Sequence, residues 1–358
     1  MINKDLYFIL SSDCKIVRGL KRCVIVDYQR SDIYFITHDY FDLLEKMDRK
    51  KVSWVETEEI DADSQTYFQE FLSFIQEYEI GVFTDKPENF PPISEDAFDE
   101  YLLVKDVIVE VDQTCFNIEV FKLLCKDLDD LHCKDFQIRL LSEFDRRFVQ
   151  EIIDVINDTS AHYLEIHCTF KPEMSPDLIH DFIETNRLLN QLYLYGCSEP
   201  RKVEIFNERN NKYPVSLGYA FYINYPFDNG ACCGQISHTS LNFTSLFLHG
   251  QLKVRNGCLD RKITIDRYGD IKNCPSLRDS YGNTRDVSIK DVLVQEGFQK
   301  YWYIHKDQID TCKVCEFRYN CTDCRAYLVD PTNIYSKPLK CGYDPSTCKW
   351  EDEMAINF

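Results

Sequence analysis

No apolar run reaches eighteen residues, so the chain offers no candidate membrane-spanning helix. No N-terminal stretch joins a basic region, an apolar core and a small-residue cleavage site, so export is not expected. A basic stripe interleaved with aromatic residues is missing too: 41 basic residues face 60 acidic ones, a formal charge of -19. Such a chain would repel a phosphate backbone, which excludes nucleic acid as a partner and suits a basic peptide or protein better. Catalytic motifs are equally scarce. H-E-x-x-H, G-x-S-x-G, Walker A and G-x-G-x-x-G text are all absent, and His132, His162 and His167 read as ordinary histidines. No residue is assigned a catalytic role. These absences predict a soluble, cytoplasmic protein with no membrane contact.

Cysteine is what the chain has in quantity. Of seventeen, eight fall from residue 258 onward: Cys258, Cys274, Cys312, Cys315, Cys321, Cys324, Cys341 and Cys348. Residues 312–324 read C-x2-C-x5-C-x2-C, and residues 258–274 read C-x10-G-x4-C around Gly269. Thiolates two residues apart converge on one metal from a single tight turn, and eight of them make two four-thiolate sites. Clustered pairs without an export signal favour metal over disulfides. Spacing alone accommodates iron or zinc.

This pattern resembles the SPASM domain, the auxiliary iron-sulfur module of many radical S-adenosylmethionine (SAM) peptide maturases. The text Cys315-Glu-Phe-Arg-Tyr-Asn-Cys321-Thr-Asp-Cys324-Arg325 is similar to SPASM proteins paired with an ATP-grasp ligase in the grasp-with-spasm systems. One departure is that only Thr322 and Asp323 separate the third and fourth clustered cysteines, where the family commonly has three residues. The resemblance implies two 4Fe-4S clusters, with two zinc ions as the alternative. It also implies that Cys312, Cys315, Cys321 and Cys341 form one site, and that Cys258, Cys274 and Cys324 belong to the other. For that second site Cys348 is the nearest fourth ligand, Cys232 or Cys233 the next, and an open iron the third alternative.

Upstream, the chain divides into three. Residues 1–98 start with strand-like text at 6–10, 16–17, 23–27 and 33–36, followed by helical periodicity at 38–47 and 67–78. They predict a winged-helix-like α+β unit, ending in a Pro-rich linker at 85–98, that either recognises a peptide by strand addition or caps the next domain. Residues 99–250 alternate strands at 107–111, 136–141, 163–167 and 192–195 with helices at 119–128, 147–156 and 178–189, and 217–223 reads as a further strand. This α/β alternation predicts a parallel sheet with helices outside it, a partial barrel resembling a degenerate radical SAM core. Residues 251–358 are the Cys-rich SPASM domain, opening on a hairpin with its turn at Gly269.

A radical SAM barrel carries C-x3-C-x2-C after its first strand; here the loop reads Asp112-Gln-Thr-Cys115-Phe-Asn, and no such motif occurs anywhere. Only Glu143 stands where the family's second-strand loop carries Gly-Gly-Glu. The resemblance therefore implies loss of SAM binding. The expected function is an iron-sulfur protein in the maturation of ribosomally synthesised peptides (RiPP biosynthesis), binding precursor peptide, ATP-grasp ligase or both. The alternatives are a redox enzyme using 4Fe-4S clusters on a peptide substrate, and a zinc-stabilised scaffold.

Overall fold

A computed structural model describes residues 2–61, 64–93, 102–207, 214–228 and 233–351. Its centre is an eight-stranded sheet, built from β6 (Asp106–Val111), β7 (Asp135–Leu140), β8 (Tyr163–Thr169), β9 (Leu189–Tyr195), β10 (Arg201–Phe206), β11 (Ser216–Ile223), β12 (Lys262–Ile265) and β13 (Ile271–Lys272). The order is β10-β11-β9-β8-β7-β6-β12-β13; the six inner strands run parallel and the two outer ones antiparallel. The expected hairpin at Gly269 is thus β12 and β13, and it joins this sheet beside β6 rather than standing apart.

Strand text fixes the two faces. Val109, Ile138, Ile166, Leu192 and Ala220 lie in register across five strands, all buried in one apolar core. Helices α4 (Ile118–Asp130), α5 (Arg146–Asn157) and α6 (Pro176–Thr185) supply the other half of that core through Leu124, Leu128, Ile152, Ile153, Phe182 and Ile183. Asn117, Asp145 and Ser175 cap these helices by accepting from backbone N–H groups of the first turn. The predicted helix at 178–189 ends early, at Thr185: Asn186 Nδ2 donates to Phe182 O at 2.8 Å, and Leu189 already pairs with Leu164.

The N-terminal unit holds two small sheets and three helices. β2 (Cys14–Arg18), β3 (Cys23–Asp27) and β4 (Asp32–Ile36) form an antiparallel meander. β1 (Tyr7–Leu10) leaves it and pairs with β5 (Gly81–Thr84), a strand with no sequence signal of its own. β3 is buried throughout because the meander is covered on both sides. Ile25 packs with α1 (His38–Met47), α2 (Val52–Glu59) and α3 (Gln65–Glu77). Val24 and Val26 pack on Phe243, Leu246 and Tyr319 from the far end of the chain. The predicted linker forms a short turn at Pro87–Asn89, and its residues 94–98 lie outside the described residues. No helix among the described residues is long and apolar enough to cross a membrane.

Arg22 joins the two ends of the chain. Its Nε donates to Glu316 Oε1 at 2.7 Å, its Nη2 to the Tyr343 hydroxyl at 3.2 Å, and its guanidinium lies 3.7 Å from the Phe35 ring centroid. Glu316 is fully buried, so Arg22→Ala would leave a carboxylate without its cation. We expect a loss of about 3 kcal/mol, the low end for breaking a buried pair because Arg22 is part exposed, read as a lower urea midpoint.

Candidate metal centre

Cys258 and Cys274 bracket the β12–β13 hairpin at the end where β12 begins. Asn256 sets the first of them: its Oδ1 accepts from the backbone N–H groups of Cys258 and Leu259 at 3.0 and 2.9 Å. The hairpin turns at Gly269, whose φ of +87° favours glycine and where a Cβ would meet Thr284 Oγ1 at 2.9 Å. Cys312 opens a one-turn helix to Val314, and Cys315 N donates to Cys312 O at 2.9 Å. Thr311, just before it, is the only β-branched residue of positive φ among those described, at 69°. Such a backbone costs about 1–3 kcal/mol and persists only where surroundings fix it.

Two thiol groups emerge. Cys312, Cys315, Cys321 and Cys341 line one small cavity with Lys306, Phe317, Tyr343 and Trp350. The 236–241 loop holds its edge, Ile236 bridging to Cys341 and Leu241 to Cys321. Burial pushes the Cys321 thiol up to about 12, Lys306 pulls it down, and Cys341 and Cys312 raise it further. The second group is Cys258, Cys274, Cys324 and Cys233. Burial, then Cys258, with smaller contributions from Cys233 and Cys324, pushes Cys274 up to about 12. Cys258 is raised by burial, relieved by Lys262, and raised again by Cys324 and Cys233. Gly234 brings this loop against Cys324: a Cβ there would lie 3.0 Å from its Sγ.

Cys348, expected as the fourth ligand of the second group, turns the β14–β15 hairpin (Tyr343–Asp344 and Lys349–Trp350) with φ 57°, its Sγ 3.9 Å from Pro345 O in its own turn. Cys233 stands with the second group instead; its neighbour Cys232 lies outside the described residues. The described cysteines other than Cys233 are free thiols. Among the described residues, no three His, Cys, Asp or Glu side chains converge closely enough to hold a single metal ion.

The short Thr322-Asp323 spacer ties the two groups together. Asp323 lies between Cys321 of one and Cys324 of the other, and is buried. Its oxygens accept from Lys306 Nζ at 2.9 Å, Arg325 Nη2 at 2.9 Å and Asn256 Nδ2 at 2.7 Å. Burial alone would raise this carboxyl, but Lys306 and then Arg325 overcome it and hold it below the usual range. Arg325 Nη1 continues the network to Ile334 O and Ser336 O, both at 2.9 Å.

The loop after β6 is tied to the hairpin turn, and the two line a small cavity with Val120 and Phe121. Cys115, exposed, has its Sγ 3.4 Å from Arg267 O, and Arg267 Nη1 lies 3.5 Å from Asp112 Oδ2, so the hairpin turn sits on it. Glu143 is exposed and paired with Lys171 at 2.5 Å.

His167 is not ordinary. It stands in a row, Glu110, Arg139, His167, Tyr193 and Phe221, in register across the sheet face opposite the apolar core. His167 stacks on Tyr193 at 4.3 Å, and Tyr193 on Phe221 at 4.6 Å. Its Nδ1 meets the Tyr195 hydroxyl at 2.8 Å, and its Nε2 meets Glu165 Oε1 at 3.1 Å; Gln137 also donates to Glu165. Burial depresses the His167 imidazole despite Glu165. Arg139 Nη2 reaches Cys233 Sγ at 3.1 Å, joining this polar face to the second thiol group. The signal was in the sequence: Gln137, Arg139, Glu165 and His167 alternate with apolar residues at period two.

No protein-family model matches the chain, and no curated protein matches it. Among solved structures it is similar to SuiB of Streptococcus suis, at 11% identity and a TM-score of 0.33 over 95% of this chain and 99% of that one. SuiB bound to its precursor peptide SuiA gives 9% and 0.33 over 92% and 98%, and SuiB bound to S-adenosylmethionine 9% and 0.33 over 95% and 99%.

Asp323→Asn would leave Lys306 and Arg325 facing a neutral group in a buried setting. The expected cost is about 3–5 kcal/mol in chemical denaturation. An unchanged midpoint would show that the two cations find other partners.

Proposed function

We propose that this chain is an iron-sulfur protein of the SPASM type that acts in ribosomal-peptide maturation beside an ATP-grasp ligase, without radical SAM chemistry. The observation that carries this reading is the sorting of eight thiols into two groups of four, each beside a buried or part-buried lysine, Lys306 or Lys262. Cys312, Cys315, Cys321 and Cys341 would hold one 4Fe-4S cluster; Cys258, Cys274, Cys324 and Cys233 would hold the other. Bound clusters would clip the loop-rich segment together and can carry electrons. The cations are this chain's contribution: Lys306, Lys262 and Arg139 offset the negative charge of thiolates taken out of water.

Loss of SAM chemistry is supported by the single Cys115 in the loop after β6 and by Arg267 seated over it. Peptide binding is supported by the β2–β3–β4 meander, in which β2 and β4 pair only with β3 among the described residues, so that a strand can be added. The ligase partner rests on the text of residues 315–325. A redox role is favoured by one contact, Arg139 to Cys233, which links the second group to a buried polar face.

Anaerobic purification should give a brown protein with about eight irons and eight sulfides per chain. Cys233→Ser should remove about half the iron, and Cys348→Ser none. A colourless protein with about two zincs would replace this reading by a scaffold. Pull-down with the cognate ligase and precursor should retain at least one of them; retention of neither would end the maturation role.

A further inference from the structure

Between the N-terminal unit and the C-terminal segment lies a cavity of about 600 Å³, within the size range of ligand sites. Leu10 and Ile16 form part of its wall, and His249 and Tyr319 line it from the other side. The rim is apolar and uncovered: Val82, Phe90 and Ile93 are 41%, 40% and 42% exposed. Apolar surface at a rim of this kind marks a place where something binds.

The charge of the cavity runs against that of the molecule. Three cationic side chains line it, Lys15, Arg49 and Lys253, against one carboxylate, Asp48, in a chain of net charge -19. Asp48 is already engaged, accepting from Leu10 N at 2.9 Å, and Arg49 Nη2 donates to Phe90 O at 2.6 Å while keeping its charge. The buried His249 senses the same field. Burial first, and then Lys253, Lys15 and Arg318, lower its imidazole to about 3, and its Nδ1 meets the Tyr28 hydroxyl at 2.7 Å. The low-dielectric walls and the concave shape focus this local positive potential.

We propose that the cavity binds a peptide segment in which carboxylate side chains alternate with apolar ones. The inference rests on the peptide-binding reading for the class of ligand and adds its chemistry and its place. The overall acidity of the chain points to a basic partner, and this cavity is the local exception. Its three cations sit on separate elements: Lys15 on β2, Arg49 in the turn after α1, and Lys253 at the end of the helix α7 (Leu246–Leu252). That spread suits several carboxylates along a chain better than one small anion, and the apolar rim gives the intervening side chains a surface.

The test is fluorescence anisotropy of the full-length, anaerobically purified protein with a fluorescein-labelled peptide of alternating Glu and Leu. Two control peptides alternate Lys with Leu and Glu with Ser. The Glu/Leu peptide should bind at least about tenfold tighter than either control, and raising salt from about 0.05 M to 0.3 M should weaken it, as screening requires. Lys15→Glu and, separately, Lys253→Glu should each weaken it about tenfold, with circular dichroism and metal content unchanged. Equal binding of all three peptides, or wild-type affinity in both variants, overturns the site. Displacement by millimolar succinate as readily as by unlabelled peptide makes it a small-carboxylate site and overturns the peptide assignment. Where the precursor is still captured in pull-down, these failures leave the peptide-binding reading standing; where no peptide binds at all, both fall.

Discussion

Asp323 is the point on which the C-terminal segment depends. The segment is rich in turns, and its own apolar cluster is small, built on Leu259, Tyr301, Ile304, Ile309 and Cys312. Packing of that size does little against the entropy of ordering so many loops. The buried carboxylate ties Lys306, Arg325 and Asn256 to the two-residue spacer between Cys321 and Cys324. A buried ion pair is a poor source of net stability but a strict geometric constraint, since any rearrangement strands a charge. The constraint falls where two thiol groups must be kept distinct within four residues of chain.

The sheet divides labour by face. One face is apolar and sealed by three helices; the other carries Glu110, Arg139, Glu165, His167 and the stacked rings of Tyr193 and Phe221. Groups of that kind are costly to bury and are kept where they are hydrogen-bonded to one another. The fold therefore supplies a rigid platform beneath the second thiol group, with Arg139 as the link, while the hairpin turn at Arg267 is tied to the loop after β6.

Much of this was legible in the sequence, and the exceptions have physical causes. The strand and helix alternation of residues 106–195 could be read from periodicity because each element buries one face. β5 and α2 could not: Gly81–Thr84 is short and half exposed, and Val52–Glu59 buries only Val52 and Val55. The placement of β12 beside β6 is a pairing across more than 150 residues, and the strand text at Lys262–Ile265 says nothing of its partner. Among the thiols, the C-x2-C pairs gave local geometry. Sequence nearness favoured Cys348 over Cys233, but the long-range contact that holds the Cys233 loop, a backbone bond of 3.1 Å from Ile236 N to Lys340 O, leaves no mark in the local text.

The contact of Arg22 with Glu316 spans 294 residues, and this sets an order of events at the ribosome. At about 5–20 residues per second, roughly 15–60 s separate the synthesis of the two partners. Until Phe243, Leu246 and finally Tyr319 have been made, the meander is complete on its helical side only. Val24, Val26 and the Tyr28 ring, all buried in the finished protein, stand open to water or to whatever else can cover them. The N-terminal unit is therefore a nascent-chain surface before it is a domain, and that face is open to a chaperone that engages the chain early.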